Sequence, residues 1–243
     1  MAQDAAQAPA EDIDATLRRT DPDRWLSSRL IADAGARADV VALYAFDGEL
    51  ARAVVGRKEP LAAEIRLTWW LEAVGKLFDG AGAGGHPVLQ ALDGAIQRHG
   101  LSRAPLEAMV EARYALLEPG PCPDRAALEA FVDGTEGAVM ALAIAVLARA
   151  DAQGVRPAAQ ALGLTRLVRL DAERLPADWP ADAALAQARV LFNESRPALS
   201  ALPVEAFPAV AHLTLLRAYL AGREPPGLER RLRITWAALT GGV

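Results

Sequence analysis

Hydrophobic residues recur at helical spacing along almost the whole chain. Between residues 36 and 55, for example, Val40, Leu43, Tyr44, Leu50 and Val54 follow one another in rough i, i+3/i+4 order, which places them on one face of a helix. Breaks in the pattern coincide with proline or glycine, which often end helices. The pattern predicts a first helix that begins near residues 20–23, followed by helices over 36–55, 61–78, 87–99, 103–117, 124–150, 157–170, 181–201, 208–221 and 228–239.

No competing pattern of strands or repeats is present. Aromatic residues make up only 5% of the chain and β-branched residues are sparse, which argues against a β-sandwich or barrel. No heptad pattern persists and no period of 20–50 residues recurs, which argues against a coiled coil or a solenoid. We therefore expect one all-α domain of eight to ten helices over residues 20–243, preceded by a flexible segment, 1–19.

Composition limits the classes of function. Hydrophobic residues make up 52% of the chain, which is too high for intrinsic disorder, and the net charge of −5 comes without a basic stripe that would suit a nucleic acid. The longest apolar run, residues 137–148, is too short to span a membrane. The sequence thus indicates a cytoplasmic protein that has no transmembrane segment and does not bind nucleic acid.

The residues themselves do not predict a metal site. None of the three histidines stands three or four residues from another histidine or a cysteine, the spacing typical of zinc ligands. Asp47 and Glu49 are two residues apart and point about 200° from each other on a helix of 3.6 residues per turn. Asp133 and Glu136 are suitably spaced for one face, but no facing acidic pair is evident.

Five short segments, in order, resemble the squalene/phytoene synthase family. They are Ala42–Phe46, Glu64–Trp70, His86–Val88, Leu162–Arg169 and Leu175–Pro176, and the resemblance runs from about residue 23 to residue 220. It implies the all-α isoprenoid-synthase fold, with helices around a central cavity. In catalytic members of that family, two aspartate-rich motifs hold the Mg²⁺ ions with which two prenyl diphosphates are joined head to head.

The sequence departs from that family at the aspartate motifs. The first pair of aspartate positions falls on Ala51 and Val55, and the second falls on Leu170 and Arg174. Without those carboxylates the Mg²⁺ ions that neutralise the departing diphosphate have no protein ligands. The stretch Phe46–Arg52 is similar to the divergent branch that contains the mitochondrial complex I assembly factor, which implies a synthase-like shell without the usual metal site.

A first group of candidate ligand-binding residues lies on the second and third predicted helices, which a short connector makes antiparallel neighbours. If the cavity persists, Glu49 and Arg66 meet inside it, with Tyr44 and Trp69 as its apolar wall. Arg52, one turn from Glu49, is a further candidate ligand-binding residue of this group. The alternative is an ordinary exposed pair between Glu49 and Arg52, which contributes little. Of the two adjacent tryptophans, Trp69 is expected to pack in the core and its neighbour to lie at an edge.

A second group consists of Arg166 and Arg169, which are three residues apart and could contact an anion from one helix face. Outside the cavity, Trp179 and the segment 191–202 are candidate contacts with a membrane.

Three functions remain open from the sequence. The leading hypothesis is a non-catalytic family member, without a cofactor, that binds an isoprenoid or other lipid-like ligand, or a protein partner at a membrane complex. The resemblance alone implies a role in assembling a respiratory complex, peripheral to the inner membrane. The first alternative is an active prenyltransferase that needs Mg²⁺, and the second is a helical interaction module with a filled core. A retained apolar cavity of ligand size would separate the last from the first two.

Overall fold

The computed structural model describes residues 12–55 and 59–243, and every regular element in these ranges is a helix. Contiguous helical pieces combine into eleven helices. They are α1 (Ile13–Thr20), α2 (Pro22–Ser28), α3 (Ala34–Ala53), α4 (Pro60–Phe78), α5 (Pro87–His99), α6 (Arg103–Glu111), α7 (Arg125–Ala148), α8 (Arg156–Leu170), α9 (Ala181–Ser200), α10 (Phe207–Val210, Ala211–Leu215 and Leu216–Leu220) and α11 (Gly227–Thr240).

Three of these helices change their pitch along their length. Helix α6 continues as a 3₁₀ turn over Ala112–Leu116, and the middle piece of α10, Ala211–Leu215, is also 3₁₀. Within α7, Asp133–Gly137 forms one π turn, the wider helical turn that often occurs at functional sites.

Aspartate side chains begin several of the helices. Asp21 accepts a hydrogen bond from the backbone N–H of Arg24, and Pro22 occupies the first turn, as the sequence predicts for this segment. Asp33 and Asp124 cap α3 and α7 in the same way. Each cap satisfies a backbone donor that the helix itself leaves free, which explains why the chain turns into a helix at these points.

The folded domain begins earlier than the sequence indicates. Residues 13–19, assigned above to a flexible segment, belong to α1, and residues 1–11 lie outside the described residues. Leu17 is buried in the core, and the indole N–H of Trp25 donates to Asp14 at 3.0 Å. These contacts hold the segment in place although its hydrophobic pattern is weak. With α1 included, the described residues form eleven helices, whereas the sequence predicted eight to ten.

Helix α3 lies at the centre of the helical core. Val40, Leu43, Phe46 and Leu50 on this helix are completely buried, and α3 packs against α1, α2, α4, α5 and the second half of α7. Helices α3 and α4 are antiparallel, as predicted. The ring of Phe46 lies 5.6 Å from that of Trp70, whereas contacts nearer the end of α3 involve the beginning of α4.

Helix α7 is long and apolar enough to cross a membrane by length and composition, although the core helix of a globular protein meets the same criteria. Val139, Ala143 and Ile144 on its second half are completely buried. Since α3 and α6 pack on this half of the helix, core packing accounts for its apolar character.

A glycine sets the distance between α7 and α8. A Cβ atom added at Gly163 on α8 would overlap the Cγ1 methyl of Val132 on α7. At Gly48 on α3, by contrast, an added Cβ would meet no atom within 4 Å. Gly163 therefore allows α7 and α8 to approach each other closely, whereas the space next to Gly48 could hold a methyl group.

We expect Gly163→Ala to lower the free energy of unfolding by about 1–3 kcal/mol, because α7 and α8 must move apart. The matched control Gly48→Ala is expected to raise it by about 0.5–1 kcal/mol, since alanine favours the helix and nothing obstructs its methyl group. Urea unfolding followed by circular dichroism measures both changes. A Gly163→Ala protein as stable as the control would contradict the close packing described here.

Candidate functional site

A buried guanidinium joins two carboxylates at the centre of the domain. Arg24 on α2 is only 2% exposed, and it donates to Asp47 on α3 at 2.6 Å and to Glu136 in the π turn of α7, also at 2.6 Å. Its partners are 23 and 112 residues away in sequence. The contacts therefore hold together three helices that the chain brings near one another only when it folds.

Two further arginines complete the network. Arg113, at the end of α6, binds Asp47 and donates to the carbonyl of Met109 at 2.6 Å. Arg166 on α8 donates to Glu136 at 2.7 Å and to Asp21 at 3.0 Å. We call this group of three arginines and three carboxylates the buried ion network; its members are Arg24, Arg113, Arg166, Asp21, Asp47 and Glu136.

The electrostatics of the network favour the charged forms of Asp21, Asp47 and Arg166. Burial alone raises the pKa of Asp21, but the nearby guanidiniums of Arg166 and Arg24 outweigh it and hold that pKa at about 2. Burial likewise raises the pKa of Asp47, and Arg113 and Arg24 bring it below its ordinary value. The pKa of Arg166 is raised, since its carboxylate partners more than offset the effect of burial. Within the network, three arginines thus face three carboxylates.

Two aromatic side chains lie against the network. The guanidinium of Arg24 stacks on the Tyr44 ring, 5.2 Å from its centroid, and burial raises the pKa of the Tyr44 phenol. Burial and the charges of Arg24 and Arg166 lower the pKa of His212 on α10 to about 3. Among the described residues, neither the Tyr44 hydroxyl nor either ring nitrogen of His212 has a hydrogen-bond partner.

A cleft of about 900 Å³ opens on another side of α7. It lies between the end of α5, the beginning of α6, α7 and the beginning of α8, and its apolar floor is built by Leu101, Met140, Ala141, Ala145 and Ala159. Arg98, Arg149 and Arg156 stand at its polar edge. We refer to it as the α7 cleft.

One arginine at the edge of the α7 cleft has an unusual backbone. Arg149 ends α7 with a φ of 51°, a left-handed conformation that costs a non-glycine residue energy. Arg98 is bound to Asp39 and Arg156 to Asp133, whereas Arg149 has no partner among the described residues. Its guanidinium is therefore free to meet a ligand.

Comparison with known proteins identifies the family. A sequence model of the squalene/phytoene synthase family matches residues 17–180. The chain belongs to this family. A search of curated proteins finds no match.

Two solved structures are similar to this family member over nearly its whole length. A dehydrosqualene synthase in complex with a ligand superposes with a TM-score of 0.69 at 15% identity, over 94% of each chain. The squalene synthase HpnC from Alicyclobacillus acidocaldarius superposes with a TM-score of 0.63 at 15% identity, over 94% of this chain and 93% of the other. At this identity the similarity establishes the fold, and it confirms the isoprenoid-synthase-like architecture expected from the sequence.

The positions on which the sequence resemblance places the family's aspartate motifs do not fit Mg²⁺. Val55 and Leu170 are 72% and 81% exposed, and their side chains cannot ligate a metal. Arg174 points into the protein, where it donates to the carbonyls of Ala115, Glu118 and Gly120 at 2.5–2.8 Å. Among the described residues, no group of three or more potential ligands could hold a metal ion.

The buried ion network lies one helical turn from these positions. Asp47 precedes Ala51 by four residues on α3, and Arg166 precedes Leu170 by four residues on α8. Close to these positions, Asp47 and Glu136 are bound to guanidiniums of the protein itself.

The prediction that Glu49 and Arg66 form an inward-facing pair is wrong. Glu49 forms an ion pair with Arg52, the alternative considered above, and Arg66 is exposed and donates to the Ala53 carbonyl at 2.8 Å. The reason is geometric. Arg52 is one turn from Glu49 on the same helix, whereas the long side chain of Arg66 reaches the free carbonyls at the end of α3.

The prediction for the tryptophan pair is reversed. Trp70 is 5% exposed and lies edge-on to Phe46, whereas Trp69 is 45% exposed and forms no inner wall. The two side chains are about 100° apart on α4, and α3 contacts the face that carries Trp70. Trp179, suggested as a membrane contact, is buried under the Arg125 guanidinium. In the segment 191–202, Phe192 and Leu199 are buried.

The other predicted site residues have partners within the protein. Tyr44 and Arg166 belong to the centre, as described, whereas Arg169 binds Glu224 and stacks on Tyr219, 4.2 Å from the ring centroid. Sequence reasoning missed Arg24 and Arg113, because nothing in their spacing relates them to Asp47 or Glu136. One signal for this site was available in the sequence: Asp47 lies one helical turn before Ala51, where the resemblance places an aspartate of the family.

We expect Arg24→Met to lower the free energy of unfolding by about 3–5 kcal/mol, because it leaves Asp47 and Glu136 buried with too little positive charge. The matched control is Arg52→Met, which removes an arginine whose side chain is 42% exposed and should change stability by less than about 1 kcal/mol. Urea unfolding measures both. If Arg24→Met lowered the free energy of unfolding by as little as Arg52→Met, the network would be accessible to water and the prediction would be wrong.

Stability should decrease as the pH falls below 6.5, the ordinary pKa of histidine, because the unfolded chain then protonates His212 while the folded protein holds that pKa at about 3. Asp21 adds a loss only at lower pH, between its ordinary pKa of 3.8 and about 2. In His212→Leu the first decrease should become shallower and the second should remain. Urea titrations across this pH range measure both, and an unchanged profile in the variant would exclude His212 as the cause.

Proposed function

We propose that this family member is non-catalytic and binds a lipid-like ligand in the α7 cleft. The observation that carries the proposal is the buried ion network, in which every guanidinium that could receive a diphosphate is already bound to a carboxylate of the protein. No metal cofactor is part of the proposed function.

The charge balance of the network opposes catalysis. To bind a diphosphate there, Arg24 or Arg166 would have to release Glu136, which would leave that carboxylate buried next to a second anion. Separating a buried charge from its partner is strongly unfavourable. Without Mg²⁺ ligands nearby, nothing would offset the negative charge of the substrate or of the departing diphosphate.

The α7 cleft has the character of a lipid site. Its volume of about 900 Å³ is in the range of small-molecule pockets, and its floor of Met140, Ala141 and Ala145 offers apolar contacts to a long hydrocarbon chain. The unpaired guanidinium of Arg149 can receive a polar or anionic head group at the edge.

The biological setting follows from the sequence resemblance. The complex I assembly factor belongs to the branch that the Phe46–Arg52 stretch resembles, and we propose a corresponding role in assembling a respiratory complex with a protein partner. The proposed location is the cytoplasmic side of the inner membrane, at its surface. The alternative is an active head-to-head prenyltransferase. The following experiment distinguishes it from the proposed binding function.

We expect no release of diphosphate from farnesyl or geranylgeranyl diphosphate in the presence of Mg²⁺ or Mn²⁺, and no rise in melting temperature on adding Mg²⁺ with diphosphate.

We expect the protein to bind the fluorescent fatty acid cis-parinaric acid, and geranylgeraniol to displace it. Ala141→Trp, which fills the cleft, should weaken this binding on the order of tenfold or more.

The matched control for the cleft is Ala177→Trp, which adds the same side chain at an exposed position outside the cleft and should bind as the parent protein does. Melting temperatures of both variants check that they fold. Diphosphate release above the rate without protein would establish the prenyltransferase alternative. Failure of the parent protein to bind either lipid probe would exclude a lipid site and favour the interaction module.

A further inference from the structure

The outer face of α11 carries a row of exposed apolar side chains. Leu228, Leu232, Trp236 and Leu239 are between 62% and 76% exposed, and their spacing places them within one face of the helix. Single exposed hydrophobic residues are normal on protein surfaces, but four large ones in a continuous row mark a surface that binds something. We call this row the α11 stripe.

The domain holds the α11 stripe in a fixed orientation. On the opposite side of the helix, Ile234 and Ala237 are buried, and Ile234 packs against Leu215 and Tyr219 of α10. Arg230 adds polar contacts on this inner side, since it donates to the Pro225 carbonyl at 2.8 Å. The stripe is therefore presented outward by a helix that is already anchored.

The charge around the α11 stripe is opposite in sign to that of the whole protein. Residues 223–240 contain four arginines and two glutamates, a net charge of +2, in a chain whose net charge is −5. The two glutamates are both bound by arginines. Arg231, beside the stripe, is exposed and has no partner among the described residues, and it shares a surface cleft with Arg18 of α1.

From this combination we infer that α11 docks onto an anionic lipid surface through Leu228, Leu232, Trp236 and Leu239. Leucine and tryptophan on one face with arginine beside them are typical of helices that lie in the plane of a membrane interface. Tryptophan suits this position because its ring is apolar and its N–H can remain hydrated. Arg231 and Arg18 then lie near the lipid phosphates, whose negative charge complements theirs.

A second copy of the chain fits this surface less well. A two-fold symmetric interface over the stripe would bring together two copies of a segment with the same net positive charge. A membrane with anionic lipids has no such repulsion. The inference deepens the proposed location at a membrane, and it is independent of the α7 cleft and its ligand.

The test is sedimentation with vesicles, using the full chain. Vesicles of phosphatidylcholine containing about one third phosphatidylglycerol should bind the protein, vesicles of phosphatidylcholine alone should bind it much less, and added salt should weaken the binding. The double variant Leu232→Gln with Trp236→Gln should reduce binding to the anionic vesicles on the order of tenfold or more. Arg231→Gln should reduce binding to the anionic vesicles only.

The matched control is the double variant Leu170→Gln with Val204→Gln, which removes two apolar side chains that are 81% and 79% exposed outside the stripe. It should bind vesicles as the parent protein does. Equal loss in both double variants, or no binding of the parent to anionic vesicles, would overturn the inference. Light scattering without lipid completes the test, since a dimer that only the α11 variant dissociates would identify the stripe as a protein interface instead.

Discussion

The burial of Arg24 is the constraint on which the centre of the domain depends. A guanidinium removed from water is unfavourable unless carboxylates surround it, and Arg24 meets this condition by contacting Asp47 and Glu136 at 2.6 Å. Each carboxylate in turn needs a second arginine, which Arg113 and Arg166 provide. Helices α2, α3, α7 and α8 and the turn after α6 can therefore take only positions in which all these charges are paired.

The π turn of α7 is part of the same arrangement. It carries Glu136 toward Arg24 and Arg166, while Asp133, in the same turn, binds Arg156 and Gln160 at the start of α8. A close approach to α6 accompanies it, because a Cβ at Gly134 would meet the Ala112 methyl at 2.6 Å. One irregular turn thus connects the buried ion network with the edge of the α7 cleft.

The network also determines what the buried carboxylates of this synthase-like fold contact. Metal-dependent chemistry on a diphosphate requires carboxylates that are free to bind cations, and here the buried carboxylates stabilise the protein instead. Surfaces that remain open to partners lie elsewhere, in the α7 cleft with its unpaired Arg149 and on the outer face of α11. Both surfaces are the ones on which the proposed binding function depends.

The sequence by itself determined the helical class, the helix ends marked by Asp21 and Pro22, and the antiparallel pairing of α3 with α4. These features depend on local spacing, capping and short connectors, which can be read along the chain. The absence of carboxylates at Ala51, Val55, Leu170 and Arg174 is also plain from the sequence, but only the resemblance to the family places the aspartate motifs at these positions.

Only the tertiary structure decided which charges are paired and which tryptophan is inside. Glu49 forms an ion pair with Arg52 one turn away on α3, whereas Asp47 forms ion pairs with Arg24 and Arg113, which lie outside α3. Neither choice follows from periodicity, because side chains on neighbouring turns face different helices and the identity of those helices is set by the whole fold. The pairing of buried charges is a long-range property, and sequence spacing carries no information about partners 112 residues apart.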